Sequence, residues 1–126
     1  MKRIIIALIA IALAITLSFV GFFAVKATCN RLENKLVEIC EIAHSKNPAL
    51  ALKKTEELIT LWDDIHGVIE SFVNHNETDK LEETIRNLPT FAHEGNMERL
   101  YQQADLAIDE LGQIVRSETP IISNIL

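Results

Sequence analysis

The sequence predicts an all-α protein: one N-terminal transmembrane helix followed by a small antiparallel bundle of about four helices. Three observations point there. Residues 4–25 are 22 consecutive positions without a charge, fourteen of them Ile, Leu, Val or Phe. The rest of the chain repeats apolar residues at intervals of three and four, the period of one helix face, and nowhere sustains the alternation of a strand. Four glycines and three prolines in 126 residues leave little turn chemistry for a β architecture.

The apolar run comes first. At 1.5 Å per residue it covers roughly 33 Å, the thickness of a bilayer's hydrocarbon core, and its side chains favour insertion by several kcal/mol on the order of the biological insertion scale. A cleaved secretory signal is the rival reading, since Met1-Lys2-Arg3 makes a basic start and small residues surround Lys26. Signal cores run only about 7 to 15 residues, so the length favours an anchor. Cys29 is a poor lipidation site, because Lys26-Ala27-Thr28 lacks the apolar and small residues such a site places before its cysteine. The division is therefore residues 1–26 as anchor and residues 27–126 as a helical domain. A short basic tail is normally retained in the cytoplasm while a long following domain is translocated, which places the domain outside the cell membrane.

Four helical segments follow. The first continues from the anchor without Pro or Gly to about Ser45, with Cys29, Leu32, Leu36, Ile39 and Ala43 on one face. Anchor and first helix together are expected to form one helix of about forty residues, roughly 60 Å long, holding the domain off the bilayer. Asn47-Pro48 supplies an N-cap and a proline at the first helical position. The second helix runs to about Asn74 with a broad stripe of Leu58, Leu61, Trp62, Ile65, Val68, Ile69, Phe72 and Val73. The third starts after Asn76 and carries Leu81, Ile85, Leu88 and Ala92, with a kink expected at Pro89. Gly95-Asn96 punctuates the chain, and the fourth presents Met97, Leu100, Ala104, Ile108, Leu111 and Val115, ending before Pro120. The terminal Ile121, Ile122, Ile125 and Leu126 are expected to dock across the bundle.

Charge narrows the function. From Ala27 onward nine Lys/Arg face eighteen Asp/Glu, a net −9, which repels phosphate backbones and argues against nucleic acid. The chain lacks a glycine-rich phosphate loop, a nucleophile elbow and a cysteine pair at zinc spacing, so neither catalysis nor a cofactor is expected. Glu41-x-x-His44 and Asp63-x-x-His66 have the carboxylate and histidine spacing of helical di-metal sites. An acidic helical chain with four histidines produces such pairs by chance, and Glu41 lies off the apolar face; no metal site is assigned. Trp62 reads as core. Cys29 and Cys40, eleven residues apart on one helix, are about 16 Å apart, beyond the roughly 7 Å reach of a disulfide. They point the same way, which leaves a homodimer open, but two small buried hydrophobes is the simpler reading.

The second half carries a resemblance. Trp62 at the centre of its helix, the His-x-Glu-x-Asp stretch of His75-Asn76-Glu77-Thr78-Asp79, and the terminal Asn124-Ile125-Leu126, in this order behind an N-terminal anchor, resemble a small bacterial family catalogued as a domain of unknown function, number 4363. The resemblance implies a Gram-positive, clostridial-type source, no assigned activity and a neighbouring multi-pass membrane protein as partner. On the residues themselves, His75 suits a hydrogen bond closing the turn between the second and third helices, and Asn124 suits exposed backbone where the tail docks. The expected function is a non-enzymatic interaction module for another membrane protein, touching membrane lipid through residues 4–25. Its partner contact is expected on the stripe of the second helix or on the face of Cys29 and Ala43. The alternative is a sensing domain taking a ligand or metal through His44, His66 and nearby carboxylates.

Overall fold

The computed structural model describes the backbone of residues 1–125 and the side chains of residues 1–116. Among the described residues there are four helices and no strand: α1 (Lys2–Ser45), α2 (Pro48–Phe72), α3 (His75–His93) and α4 (Met97–Ile125). Each packs on its two neighbours around a closed ring, α1 on α2, α2 on α3, α3 on α4 and α4 back on α1. The chain therefore runs up, down, up and down.

Local chemistry sets the corners. α1 ends at Lys46, which takes the left-handed conformation at φ 56°. Asn47 caps α2 by accepting the Leu50 N–H on its side chain, and Pro48 occupies the first turn. At the second corner Asn74 is the cap, accepting from the Asn76 N–H at 2.9 Å. α3 thus begins at His75, earlier than the start after Asn76 that the sequence suggested. Two adjacent Asn offer the same capping chemistry, and the burial of Val73 settles which is used, because it draws Asn74 into the corner. Gly95, at φ +74°, makes the third turn, and the Asn96 side chain accepts from Arg99 N–H. α3 is one helix through Pro89, and α4 continues past Pro120, where the sequence suggested a stop. A proline removes one N–H and already holds a helical φ, so helix on both sides can carry it when the bundle holds the rest.

The core is largely the set of faces read from the sequence: Leu32, Leu36 and Ile39 of α1, Leu58, Trp62 and Ile69 of α2, Leu81, Ile85 and Leu88 of α3, and Leu100 of α4 are all buried. On α4 the buried face is turned from the expected one, since Ala107 and Ile114 are buried while Met97, Ile108 and Val115 are only partly so. The buried polar side chains among the described residues are threonines; Thr55, Thr78 and Thr84 each donate to a carbonyl one turn back, which removes the cost of an unpaired hydroxyl. The tail cluster of Ile121, Ile122, Ile125 and Leu126 lies outside the described residues, as does Asn124.

α1 is continuous, as expected, but it does not hold the bundle away from its own apolar half. α2 has 25 residues, about 37 Å, and descends antiparallel from the corner at Lys46, which brings its end level with Gly21. There Gly21 and Val25, within the segment assigned to the anchor, are buried. A Cβ placed at Gly21 would lie 2.6 Å from the Phe72 ring, so the close approach of α2 to α1 requires a glycine. Every residue from Met1 to Val20 remains exposed. α1 is long and apolar enough to cross a membrane, with a mean hydropathy of 2.8 over its best window.

Candidate functional site

Polar side chains lie on the seams between the helices. Across α1 and α2, Lys54 pairs with Glu38 at 3.0 Å and Lys35 reaches Glu57 at 3.7 Å, while Lys54 also pairs with Glu57 within α2 at 3.3 Å. The hydrogen bonds to Glu38 and Glu57 raise Lys54 above its ordinary value, and the bond from Lys54 lowers Glu57. Across α2 and α3, Arg86 donates to Asp63 at 2.7 Å and to Glu82 at 3.1 Å; both bonds raise its pKa further, the Asp63 bond more. The same Glu82 oxygen accepts from Trp62 Nε1 at 3.3 Å. Across α3 and α4, the one Thr84 hydroxyl proton is shared between the Lys80 carbonyl at 3.1 Å and Glu110 at 2.6 Å. These groups satisfy one another and fix which helix neighbours which.

The sequence candidates fall in different places. Trp62 is fully buried, its one polar atom paired to Glu82, which leaves no face for a ligand. His75 is exposed at the first position of α3, and the turn is closed by Asn74 instead, whose carbonyl accepts the Thr78 N–H and hydroxyl. Cys29 is buried in the core, while Cys40 is half-buried against it. Burial, then Asp105 and Glu41, pushes the Cys40 thiol up to about 11. Cys29 thus faces the interior of its own bundle, and Cys40 packs at the edge of the core.

The two histidines of the sensing alternative are not brought together. His44 lies at the far end of α1 with its ring 4.5 Å from that of Tyr101. His66 lies eighteen residues down α2 from Pro48, about 27 Å lower, stacked on Trp62, with Nδ1 3.4 Å from Glu70 in poor hydrogen-bond geometry. Asp63, the carboxylate paired with it in sequence, is held by Arg86. Among the described residues no group of three or more His, Cys, Asp or Glu side chains converges as metal ligands would.

Among the described residues, two surface hollows stand out. One of ≈ 360 Å³ lies between α1 and α4, with Lys26 and Arg116 toward the apolar half of α1 and Glu33 and Asp109 farther along. Another of ≈ 240 Å³ lies beside α2, lined by Arg31, Asn34, Lys35, Glu38 and Leu61. Cys29 also lines the first hollow, but as a core residue only 2% exposed.

The contact that sequence reasoning missed is Phe72 against Gly21. It was within reach of arithmetic, because a 25-residue α2 must return alongside α1 to about residue 21. What the residues alone do not show is that the fold spends the two faces expected to meet a partner. The α2 stripe, apart from half-exposed Phe72 and Val68 and partly buried Leu61, and the face of Cys29 and Ala43 are interior. The match to known families starts at nearly the same level of α1. No curated protein and no solved structure matches the chain. A family model described as a domain of unknown function (DUF4363) does match, over residues 19–125, and the chain belongs to that family.

Proposed function

We propose that the protein is a single-pass, membrane-anchored helical module without enzymatic activity, which binds or stabilises another membrane protein. The observation that carries this reading is the contrast along α1. Its residues 21–45 are built into a bundle that buries most of their apolar face, while residues 4–20 are predominantly apolar and all exposed. An exposed apolar surface of that length needs lipid or protein around it. Since the bundle has spent the faces first expected to meet a partner, the contact falls to the lipid-facing half of α1, against the helices of a multi-pass membrane protein. The basic Lys2 and Arg3 that flank the span on its N-terminal side support a cytoplasmic placement of that side and an extracytoplasmic bundle at the cell membrane.

A photoreactive side chain at Leu13 tests the partner. Illumination of native membranes is expected to trap one integral membrane protein in constant yield, and adducts with lipid alone would overturn the accessory role. Orientation is read from the exposed Gln102 substituted by Cys: an impermeant maleimide is expected to label it in intact cells, and labelling only after lysis would put the bundle in the cytoplasm.

A further inference from the structure

The base of the bundle carries an apolar collar that nothing within the described residues covers. Phe72, at the end of α2, is 48% exposed despite its contact with Gly21, and Val68, one turn above it, is 37% exposed. On α1, Phe19 and Phe23, at 37% and 61%, bracket the same level. The collar is continuous with the exposed apolar surface of residues 4–20.

Register says what meets it. Those seventeen residues rise about 25 Å, whereas a hydrocarbon core is about 30 Å thick. Counting twenty residues from Ile4 carries the hydrocarbon edge to about Phe23, so the edge passes through the collar and not below it. Exposed Lys26 stands one turn above, at headgroup depth, on a stem long enough to reach lipid phosphate. The polar corner of Asn74, His75 and Asn76, also exposed, follows Phe72 at the foot of α2 and so holds the edge a few Å below that full count, near the level of Phe19 and Gly21, because these groups need water or headgroups as partners.

Resting on the anchored reading above, we infer that the α2–α3 corner is a lipid-contacting surface: Phe72 and Val68 seat the bundle in the boundary layer of the bilayer, with no stalk between the membrane and the domain. α1 is then not a spacer. Its span and its core-forming half meet at Gly21, and a bundle built directly on that residue has its α2–α3 corner among lipid headgroups.

Trp62 is the one tryptophan of the chain and lies ten residues, about 15 Å, up α2 from Phe72, which makes it an internal reference. The full-length protein and its Phe72→Trp, Val68→Trp and Leu13→Trp variants are placed in vesicles of phosphatidylcholine brominated either near the headgroup or near the chain end. In the wild type, Trp62 is expected to keep its emission in both. Phe72→Trp is expected to add a component that loses most of its intensity to headgroup-end bromine, Val68→Trp a weaker loss, and Leu13→Trp a loss to chain-end bromine. Val68 is clear of the Gly21 contact, so its variant stands if an indole at position 72 disturbs the fold. Quenching at 13 with none at 72 and 68 overturns the seat and leaves the anchor intact. No quenching at 13 overturns both. A blue-shifted but unquenched Trp at 72 overturns the lipid contact in favour of protein cover, by residues 117–126 or by a second copy.

Discussion

Burial and the carboxylates of Asp105 and Glu41 lift Cys40 to about 11 from 9.0, so at neutral pH its thiolate population, and with it maleimide reactivity, falls well below that of an ordinary thiol. Both native cysteines are expected to label slowly in the folded protein and promptly in denaturant, which stopped-flow labelling would show. The sign of the stability effect follows. The unfolded chain loses the Cys40 proton first as pH rises through 9.0, so it binds fewer protons than the fold, and stability falls from there toward about 11. Urea midpoints across that range are expected to decline, with Cys40→Ala removing part of the slope. Lys54, raised by Glu38 and Glu57, supplies a loss of the same direction that starts higher, as pH climbs from 10.5 through its folded value. At Trp62 two effects separate: Trp62→Phe removes the bond to Glu82 and should cost about 1 kcal/mol, whereas Trp62→Ala empties a core position and should cost about 3–5 kcal/mol in denaturant titrations. The burial of Trp62 was readable from its place on the α2 stripe. Its acceptor was not, because Glu82 is twenty residues away and meets the indole only when α3 folds back.

At the scale of elements, the corners hold the most local information. Asn47-Pro48 and Gly95-Asn96 were legible because each pairs a residue that satisfies or frees backbone with one that cannot sit elsewhere. The Asn74 corner was ambiguous, since the choice between two caps was made by packing at Val73. Pro120 misled as a stop signal, because a proline already holds a helical φ and removes only one hydrogen bond, so the backbone can continue through it. Lys46 shows a cost the sequence conceals: its left-handed φ of 56° disfavours a side chain. Lys46→Gly is therefore expected to stabilise the bundle by about 1 kcal/mol, and Asn47→Ala to destabilise it by about 1 kcal/mol, in paired thermal or urea denaturation. Gly21→Leu drives carbon into the Phe72 ring. It should cost about 1–3 kcal/mol unless the α2 terminus lifts away, and amide exchange at residues 68–72 would report that opening.

For the whole molecule, the acidic domain is stitched at the surface by ion pairs whose individual worth is small. Glu57 is held below its ordinary carboxylate value by Lys54, so its contribution is present at neutral pH and fades as pH falls through its depressed folded value, below 4.5. A melting temperature that drops modestly in acid and in high salt would match this, and Lys54→Met should flatten both dependences. The all-helical class, the order of the elements and nearly every core residue were visible in periodicity alone. The relation of the bundle to the apolar half of α1 was not, because it depends on the lengths of two antiparallel helices taken together.

The unbroken course of α1 has one mechanical consequence. Residues 21–45 extend about 36 Å beyond Gly21, and in the anchored arrangement no hinge separates them from the span. A span tilted by about 20°, ordinary for a single helix, swings the far end some 12 Å sideways while the corner at Asn74, beside the pivot, hardly moves. Bilayer thickness then sets a lever, and the turns at Lys46 and Gly95 sweep its arc.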